Sequence, residues 1–260
     1  DGSSGSDDDK KDDKSNNVKI DTKNIRDSNN ELQGKIHDVL DKHDISDDDR
    51  EILMSGFSRT TDPNSSIGYN TTKNKWEELS KKNPEISKMR NDLEQYGKDV
   101  NDSIKKQFDE TPSLYRGMRT GELDHYIKTG QADPYNYGFL SFTMDKSVGM
   151  GFGRNAGVTV EFDKDSIKSQ KLWNGSDMQI EPNKYDVYSD SLDGETIGGA
   201  YPISYADEVE VRSVQFKVEN TIKNITLHKG EYDDPEELQK NLDKYSKSFP
   251  NAKVTIKDSM

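Results

Sequence analysis

Apolar residues recur every three or four positions through the first half of the chain, a spacing typical of helices packed on one side. The spacing predicts helices at about 73–82 and 84–108, with Pro84 in the first turn of the second. The apolar positions that carry it are Trp76, Leu79, Ile86, Met89, Leu93, Tyr96, Val100, Ile104 and Phe108. We therefore expect a helical region over residues 18–108, with a loop at about 56–72.

Beyond Pro112 the pattern changes to short segments in which apolar and polar residues alternate, as in half-buried strands. The alternation predicts strands at Ser113–Gly117, Gly138–Phe142, Gly157–Phe162, Glu208–Val211, Gln215–Glu219 and Ile225–His228. Helices are expected at about 119–129, 145–152 and 234–246, and a last strand at Lys253–Lys257. Strands interrupted by helices without a regular strand–helix–strand alternation indicate an α+β fold rather than a doubly wound one.

Composition narrows the class of protein. The chain has 260 residues, no cysteine, 29% hydrophobic residues and a formal net charge of −13. Without cysteine there is no disulfide scaffold, thiolate metal site or cysteine nucleophile. The negative charge disfavours a protein that binds nucleic acid by neutralising phosphates. The longest aliphatic stretch, Ile52-Leu53-Met54, is far shorter than the roughly 18 apolar residues of a membrane span, so we expect a soluble protein.

Composition also divides the chain. The first 17 residues contain no apolar side chain, so we expect a disordered, tag-like acidic segment at 1–17. The helical region then covers 18–108, a second domain covers 109–230, and a C-terminal helix and strand cover 231–260. We expect the protein to be a monomer.

Two segments of the second domain place polar side chains in predicted strands. Arg116 lies in mid-strand, where an inward-facing guanidinium needs an anion to compensate its burial. Ser141 and Thr143 alternate with apolar Leu140 and Phe142, so both hydroxyls project from one strand face. Each segment alone is equally consistent with a solvated edge strand or ordinary sheet pairing.

A third segment, Tyr205-Ala206-Asp207-Glu208-Val209-Glu210-Val211, places two carboxylates on one strand face. The carboxylates of Glu208 and Glu210 repel each other, and the pKa of one can rise. A solvent-exposed strand face in an acidic protein is the competing interpretation. The histidines match no metal spacing, so no metal is expected.

In this order the three segments resemble the mono-ADP-ribosyltransferases of the Arg-Ser-Glu class, over about residues 113–219. The run from Gly138 to Thr143 looks like the second strand of that family, and Phe152 resembles the aromatic residue that follows it. Gln215-Phe216-Lys217-Val218 resembles the strand after the catalytic glutamate. The resemblance implies an α+β core of two packed, mainly antiparallel sheets around an NAD cleft. It also implies transfer of ADP-ribose from NAD, the co-substrate, to a target protein, with release of nicotinamide.

The resemblance assigns roles by motif. Arg116 would hold the pyrophosphate or the nicotinamide ribose of NAD, and Ser141 would orient the catalytic glutamate. Glu210 would bind the 2′-hydroxyl of that ribose and stabilise an oxocarbenium-like transition state, as carboxylates do in glycosidases. Glu208 would position and help deprotonate the attacking group, and Tyr205 would project from the substrate-recognition turn. In this family Glu-x-Glu goes with arginine as the acceptor.

Gly117, Phe152 and Arg154 would line the cofactor site, with Arg154 near the NAD phosphates. Surface solvation is the competing interpretation for Arg154, and Arg119 could reach the adenosine side of NAD.

The catalytic segment can also be aligned two residues earlier, which makes Glu208 the key acid. Glu210 is preferred because it leaves Tyr205 at the position of the family's recognition aromatic. An NAD glycohydrolase would need the same Arg116, Ser141 and Glu210. A non-enzymatic interaction module of a virion or a secretion system is the alternative from another class. A secreted toxin, an intracellular regulator and a virus-borne enzyme all remain open.

Overall fold

The computed structural model describes residues 25–54, 69–133, 140–168, 210–213 and 215–258. Its helices are α1 (Ile25–Lys42), α2 (Asp47–Leu53), α3 (Tyr69–Lys82), α4 (Pro84–Glu110), α5 (Thr120–Thr129), α6 (Lys146–Ala156), α7 (Lys164–Lys168) and α8 (Pro235–Ser248). Its strands are β1 (Ser113–Met118), β2 (Gln131–Ala132), β3 (Leu140–Thr143), β4 (Val158–Asp163), β5 (Glu210–Ser213), β6 (Phe216–Lys217), β7 (Ile222–Lys229) and β8 (Lys253–Asp258). This mixture of helices and mainly antiparallel strands confirms the predicted α+β class. The described residues up to Lys106 form one compact unit, and those from Gln107 onwards form a second.

The first unit contains α1, α2, α3 and most of α4. The hydroxyl of Ser46 caps α2 by accepting a hydrogen bond from the backbone N–H of Asp49 at 3.2 Å. Asn83 caps α4 in the same way, accepting from Glu85 at 2.9 Å. The buried apolar side chains of this unit include Ile36, Leu40, Trp76, Leu79, Ile86, Met89, Leu93, Tyr96 and Val100. The predicted apolar stripe is confirmed from Trp76 to Val100, and the side chain of Ile104 lies outside the described residues.

The start of α3 differs from the prediction. The helix begins at Tyr69 rather than at about 73, so the predicted loop ends too late. One of the added residues, Thr72, is buried, and its hydroxyl donates to the carbonyl oxygen of Ile52 at 3.2 Å. A hydrogen bond between segments this far apart in sequence leaves no trace in apolar spacing, which is why periodicity placed the boundary late.

The second unit is built on a six-stranded sheet with the order β5-β3-β1-β4-β7-β8. Neighbouring strands are antiparallel, except that β7 and β8 are parallel. β2 and β6 pair antiparallel in a separate two-stranded sheet. Because β8 is the sixth strand, the C-terminal residues complete the sheet that begins at Ser113.

Three phenylalanine rings join the two sheets. Phe142 of β3 and Phe162 of β4 meet edge to face with ring centroids 5.3 Å apart, and Phe216 of β6 lies 5.7 Å from Phe162. All three rings are buried. Strand alternation then places the neighbours of Phe142, Ser141 and Thr143, on the opposite face of β3.

Helices close this unit at two further places. The buried ammonium of Lys164 in α7 donates to the carbonyl oxygen of Asp109 at 3.1 Å and so satisfies the C-terminal end of α4. Tyr245 of α8 is fully buried, and its hydroxyl donates to the carboxylate of Asp124 in α5 at 2.9 Å. These bonds fix α7 and α8 around the sheet.

Candidate active site

A cleft of about 450 Å³ lies beside β1 and β3. The described pairing between these two strands is Tyr115 opposite Thr143, and the cleft lies next to this pair. Its lining includes Arg116, Gly117, Arg119, Ser141, Phe152 and Asn155. Strands β1 and β3 and helix α6 therefore bring Arg116, Gly117, Ser141 and Phe152, four of the predicted site residues, to one cavity.

Arg116 spans from β1 to α5 and β3. Its Nε and Nη2 atoms donate to the two carboxylate oxygens of Glu122 at 3.1 and 2.7 Å, and Nη1 donates to the carbonyl oxygen of Ser141 at 2.9 Å. The side chains of Arg116 and Glu122 are 21% and 11% exposed. Glu122 is thus the anion that makes this inward-facing arginine tolerable.

The pKa of Arg116 reflects that pairing. Burial lowers the pKa, but the hydrogen bonds and the negative charge of Glu122 raise it by more, so the net direction is upward. The guanidinium is therefore a permanent cation in the wall of the cleft. The three bonds to Glu122 and Ser141 use three of its five N–H donors.

Gly117 is required by the close approach of α6 to β1. A Cβ atom at this position would lie 2.5 Å from the backbone nitrogen of Gly153 and 2.6 Å from the carbonyl carbon of Phe152. The missing side chain lets α6 rest directly on the strand. Phe152 lies at this contact, and its side chain is 48% exposed and lines the cleft. It offers a planar apolar face to a ligand.

The two hydroxyls of β3 differ in what they do. Thr143 is buried, and its Oγ1 accepts from the backbone N–H of Asp145 at 3.1 Å. Asp145 in turn caps α6 by accepting from Ser147 at 2.7 Å. Ser141 is half-buried at the cleft, and its carbonyl holds Arg116. Thr143 therefore fixes the start of α6, and both Ser141 and Thr143 border the cavity.

The predicted acidic residues are described less completely. Glu210 begins β5 and lies opposite Thr143 in the β3–β5 pairing, while Ser141 lies opposite Arg212. The side chain of Glu210 lies outside the described part of the chain, and so do Glu208 and Tyr205. What is described is the backbone: β5 runs beside the strand that carries Ser141.

Arg154 borders a different cavity from the one lined by Arg116 and Ser141. The predicted helix ended near Phe152, whereas α6 continues to Ala156 and includes Arg154. Residues two positions apart in an α-helix lie about 200° apart around its axis, so Phe152 and Arg154 face opposite sides of α6. Arg119, at the N-terminal end of α5, borders the first cleft.

Sequence reasoning missed Glu122 and Asn155. Glu122 follows Arg116 by six residues and lies in the first turn of α5. An acidic residue in the first turn of a helix is ordinarily explained by its interaction with the helix dipole, so nothing at this position in the sequence indicates that it also pairs with an arginine. The usable signal was the unpaired arginine in the preceding strand, which required some nearby anion.

Among the described residues, no group of three or more His, Asp or Glu side chains is arranged to hold a metal ion. No helix in the described part of the chain has the length and apolar character needed to cross a membrane. The chain matches no protein-family model, no curated protein and no solved structure.

Proposed function

We propose that the protein is an NAD-dependent mono-ADP-ribosyltransferase that modifies an arginine of a target protein. The observation that carries the proposal is the cleft bordered by Arg116 and Ser141 on neighbouring strands, with the strand that begins at Glu210 next in the sheet. The sequence resemblance assigns NAD binding and catalysis to these same Arg, Ser and Glu residues. The α+β fold is consistent with it.

The size and charge of the cleft support a dinucleotide ligand. A volume of about 450 Å³ falls within the range of pockets for small molecules and cofactors. Arg116 and Arg119 are the cations at its wall, and a guanidinium suits the oxygens of a pyrophosphate. Arg116 is already fixed by Glu122, so a phosphate meets an oriented donor rather than a flexible one.

The exposed ring of Phe152 supports the nicotinamide end of the ligand. An exposed phenylalanine beside a polar cleft gains from covering its face with a planar ring. A nicotinamide stacked on Phe152 would lie in the same cleft as Ser141.

The reaction then follows from carboxylate chemistry. The bond between the nicotinamide nitrogen and C1′ of the ribose breaks, and its electron pair leaves with nicotinamide. Glu210 stabilises the cationic sugar through its negative charge and a hydrogen bond from the 2′-hydroxyl. A guanidine nitrogen of the target arginine attacks C1′ and forms the new bond, and Glu208 accepts the proton that this nitrogen loses.

The test is label transfer from labelled NAD to a cell lysate by the wild type and by Glu210→Gln. We expect labelled protein with the wild type and a loss of at least about a hundredfold in Glu210→Gln, the usual size of a lost charge-stabilising group. Neutral hydroxylamine should release the label, because it cleaves the arginine–ribose bond. Glu219→Gln removes an exposed carboxylate near β6 and is the matched control.

Three results decide against the proposal. Release of nicotinamide without labelled protein would indicate an NAD glycohydrolase on the same site. Equal activity of Glu210→Gln and the wild type would remove Glu210 from the chemistry. Absence of label and of nicotinamide, together with an unchanged melting curve in NAD, would favour a non-enzymatic interaction module.

A further inference from the structure

A second cavity lies on the other side of α6 from Phe152. It has a volume of about 440 Å³ and is bordered by Lys146, Ser147 and Arg154 of α6, His228 of β7 and Lys257 of β8. We call Lys146, Arg154, His228 and Lys257 the basic pocket. A smaller cavity of about 190 Å³ shares Lys146 with it.

The charge of the basic pocket is opposite to that of the chain. Lys146, Arg154 and Lys257 contribute three positive charges, and Asp258 is the one carboxylate among the residues that border the cavity. The chain as a whole carries −13. Among the ion pairs formed between described residues, none uses these three cations. The negative charge of Glu161 acts on Lys146 from the neighbouring cavity. Like charges held close together repel, and an anionic ligand would relieve that repulsion.

His228 borders the basic pocket as a buried side chain with a fixed orientation. The residue is 5% exposed, and its Nδ1 is buried without a hydrogen-bond partner among the described residues. The other nitrogen, Nε2, lies 2.7 Å from the hydroxyl of Thr159, which donates its proton to the carbonyl oxygen of Gly149. Nε2 must therefore be the donor to Thr159, which leaves Nδ1 as an acceptor that offers no hydrogen bond to an anion. The anion is therefore held by the three cations.

The surroundings keep His228 neutral. Burial lowers its pKa, and the charges of Arg154 and Lys257 lower it further. Both cations are therefore close enough to the imidazole to act on it. His228 and Lys257 also lie side by side in the parallel pairing of β7 and β8.

We propose that the basic pocket binds a small molecule bearing a phosphate or diphosphate group. Arg154 supplies a planar fork for two phosphate oxygens, and Lys146 and Lys257 supply point charges on either side. The hydroxyl of Ser147 donates to the carboxylate of Asp145, which also caps the start of α6, so the three cations carry the binding. The cavity exceeds the size of a single phosphate and leaves room for the body of a phosphate ester.

The basic pocket is separate from the proposed NAD site. Lys146, Arg154, His228 and Lys257 do not border the cleft of Arg116 and Ser141 in the described structure. Arg154 would pair with the anion bound at this second site, whether or not the chain transfers ADP-ribose.

The first experiment titrates the full chain with inorganic pyrophosphate by calorimetry at constant ionic strength. The test variant is Lys146→Gln/Lys257→Gln, and the control is Lys240→Gln/Lys247→Gln, which removes two exposed charges from α8. We expect binding by the wild type and the control, and at least about tenfold weaker binding by the test variant, as the loss of charge-assisted bonds predicts. A proton–carbon spectrum of the His228 ring should shift on binding in the wild type.

The second experiment separates the basic pocket from the proposed active site. Pyrophosphate is titrated again in saturating NAD with Glu210→Gln, which prevents turnover. Unchanged pyrophosphate affinity supports a separate site. Loss of pyrophosphate binding shows that pyrophosphate occupies the NAD cleft instead and overturns the inference. Label transfer by Lys146→Gln/Lys257→Gln should equal that of the wild type.

Several outcomes of the first experiment also overturn the inference. Absence of pyrophosphate binding by the wild type would do so, as would equal weakening in the test variant and the control. Displacement of pyrophosphate by polyglutamate at a lower concentration than by a phosphate monoester would indicate an acidic peptide ligand instead. Inorganic phosphate and ribose 5-phosphate, compared at equal charge, distinguish a free phosphate from a phosphate ester.

Discussion

At the scale of single residues, the wall of the cleft depends on the ion pair of Arg116 and Glu122. Glu122→Gln keeps the shape of the side chain but removes the charge and one of the two acceptors that hold Nε and Nη2. Leaving a largely buried cation with a poorer partner should lower the free energy of unfolding by about 1–3 kcal/mol. Urea unfolding measures the change, with the exposed Glu231→Gln as control. Equal stabilities of the two variants would show that Arg116 does not need Glu122.

Glu161 provides a prediction about pH. Burial raises its pKa, but hydrogen bonds from Ser113 and Asn224 and the charge of Lys223 lower it by more, so the folded pKa lies below the ordinary value of about 4.5. A carboxylate with a lowered folded pKa stabilises the protein above its unfolded pKa, and this contribution is lost as pH falls through the folded value. The stability difference between the wild type and Glu161→Gln should therefore be largest near neutral pH and shrink below about pH 4.5.

Urea unfolding of both proteins between about pH 2 and 7 tests this. The exposed Glu219→Gln, at a carboxylate outside the hydrogen bonds of Ser113 and Asn224, is the control variant. A difference between wild type and Glu161→Gln that stays constant across the range would contradict the prediction.

At the scale of elements, the sequence predicts which segments fold and misses how they face each other. Alternation locates β1, β3 and β4 within two residues, because strands report burial directly in their apolar positions. The partnership of Arg116 with Glu122 depends on the turn at Arg119, which no periodicity describes. The direction of Arg154 was missed because the helix was predicted to end too early.

The contact between α6 and the sheet yields a matched pair of variants. A Cβ at Gly153 would collide with the hydroxyl of Thr159, whereas a Cβ at Gly151 meets nothing within 4 Å. Gly153→Ala should therefore destabilise the protein by about 1–3 kcal/mol or more through overpacking. Gly151→Ala lies in the same helix and should be neutral or stabilising by up to about 1 kcal/mol, because alanine favours helix.

Thermal and urea unfolding of the two variants measure the difference. Because α6 also carries Phe152, Gly153→Ala should weaken NAD binding in the proposed enzyme as well, and Gly151→Ala should leave it unchanged. Similar stabilities of both variants would mean that α6 does not rest on the sheet through this glycine.

At the scale of the whole molecule, the sequence determines the net charge, whereas the fold determines where charged side chains cluster. The net charge of −13 belongs to the chain, yet Arg116 and Arg119 line one cavity and Lys146, Arg154 and Lys257 border another. Composition alone disfavours the binding of an extended polyanion such as a nucleic acid. Small anions are a different case, because the sheet and α6 gather a few cations into concave sites.

The same net charge predicts how the proposed enzyme meets its target. A chain at −13 attracts a basic target protein over a screening length that falls from about 30 Å at 0.01 M salt to about 8 Å at 0.15 M. Between these salt concentrations the initial rate of label transfer to a basic protein should fall about tenfold or more. Hydrolysis of NAD by the same enzyme should change much less, because water is uncharged.

The control replaces the protein acceptor with an arginine ester. Its small charge gains little from long-range attraction, so its transfer rate should depend only weakly on salt. Parallel loss of transfer to the protein and to the ester would place the salt effect at the NAD cleft rather than at the encounter. Equal rates of protein labelling at both salt concentrations would show that the acidic surface does not steer the target, and recognition would then rest on contacts at the acceptor arginine itself.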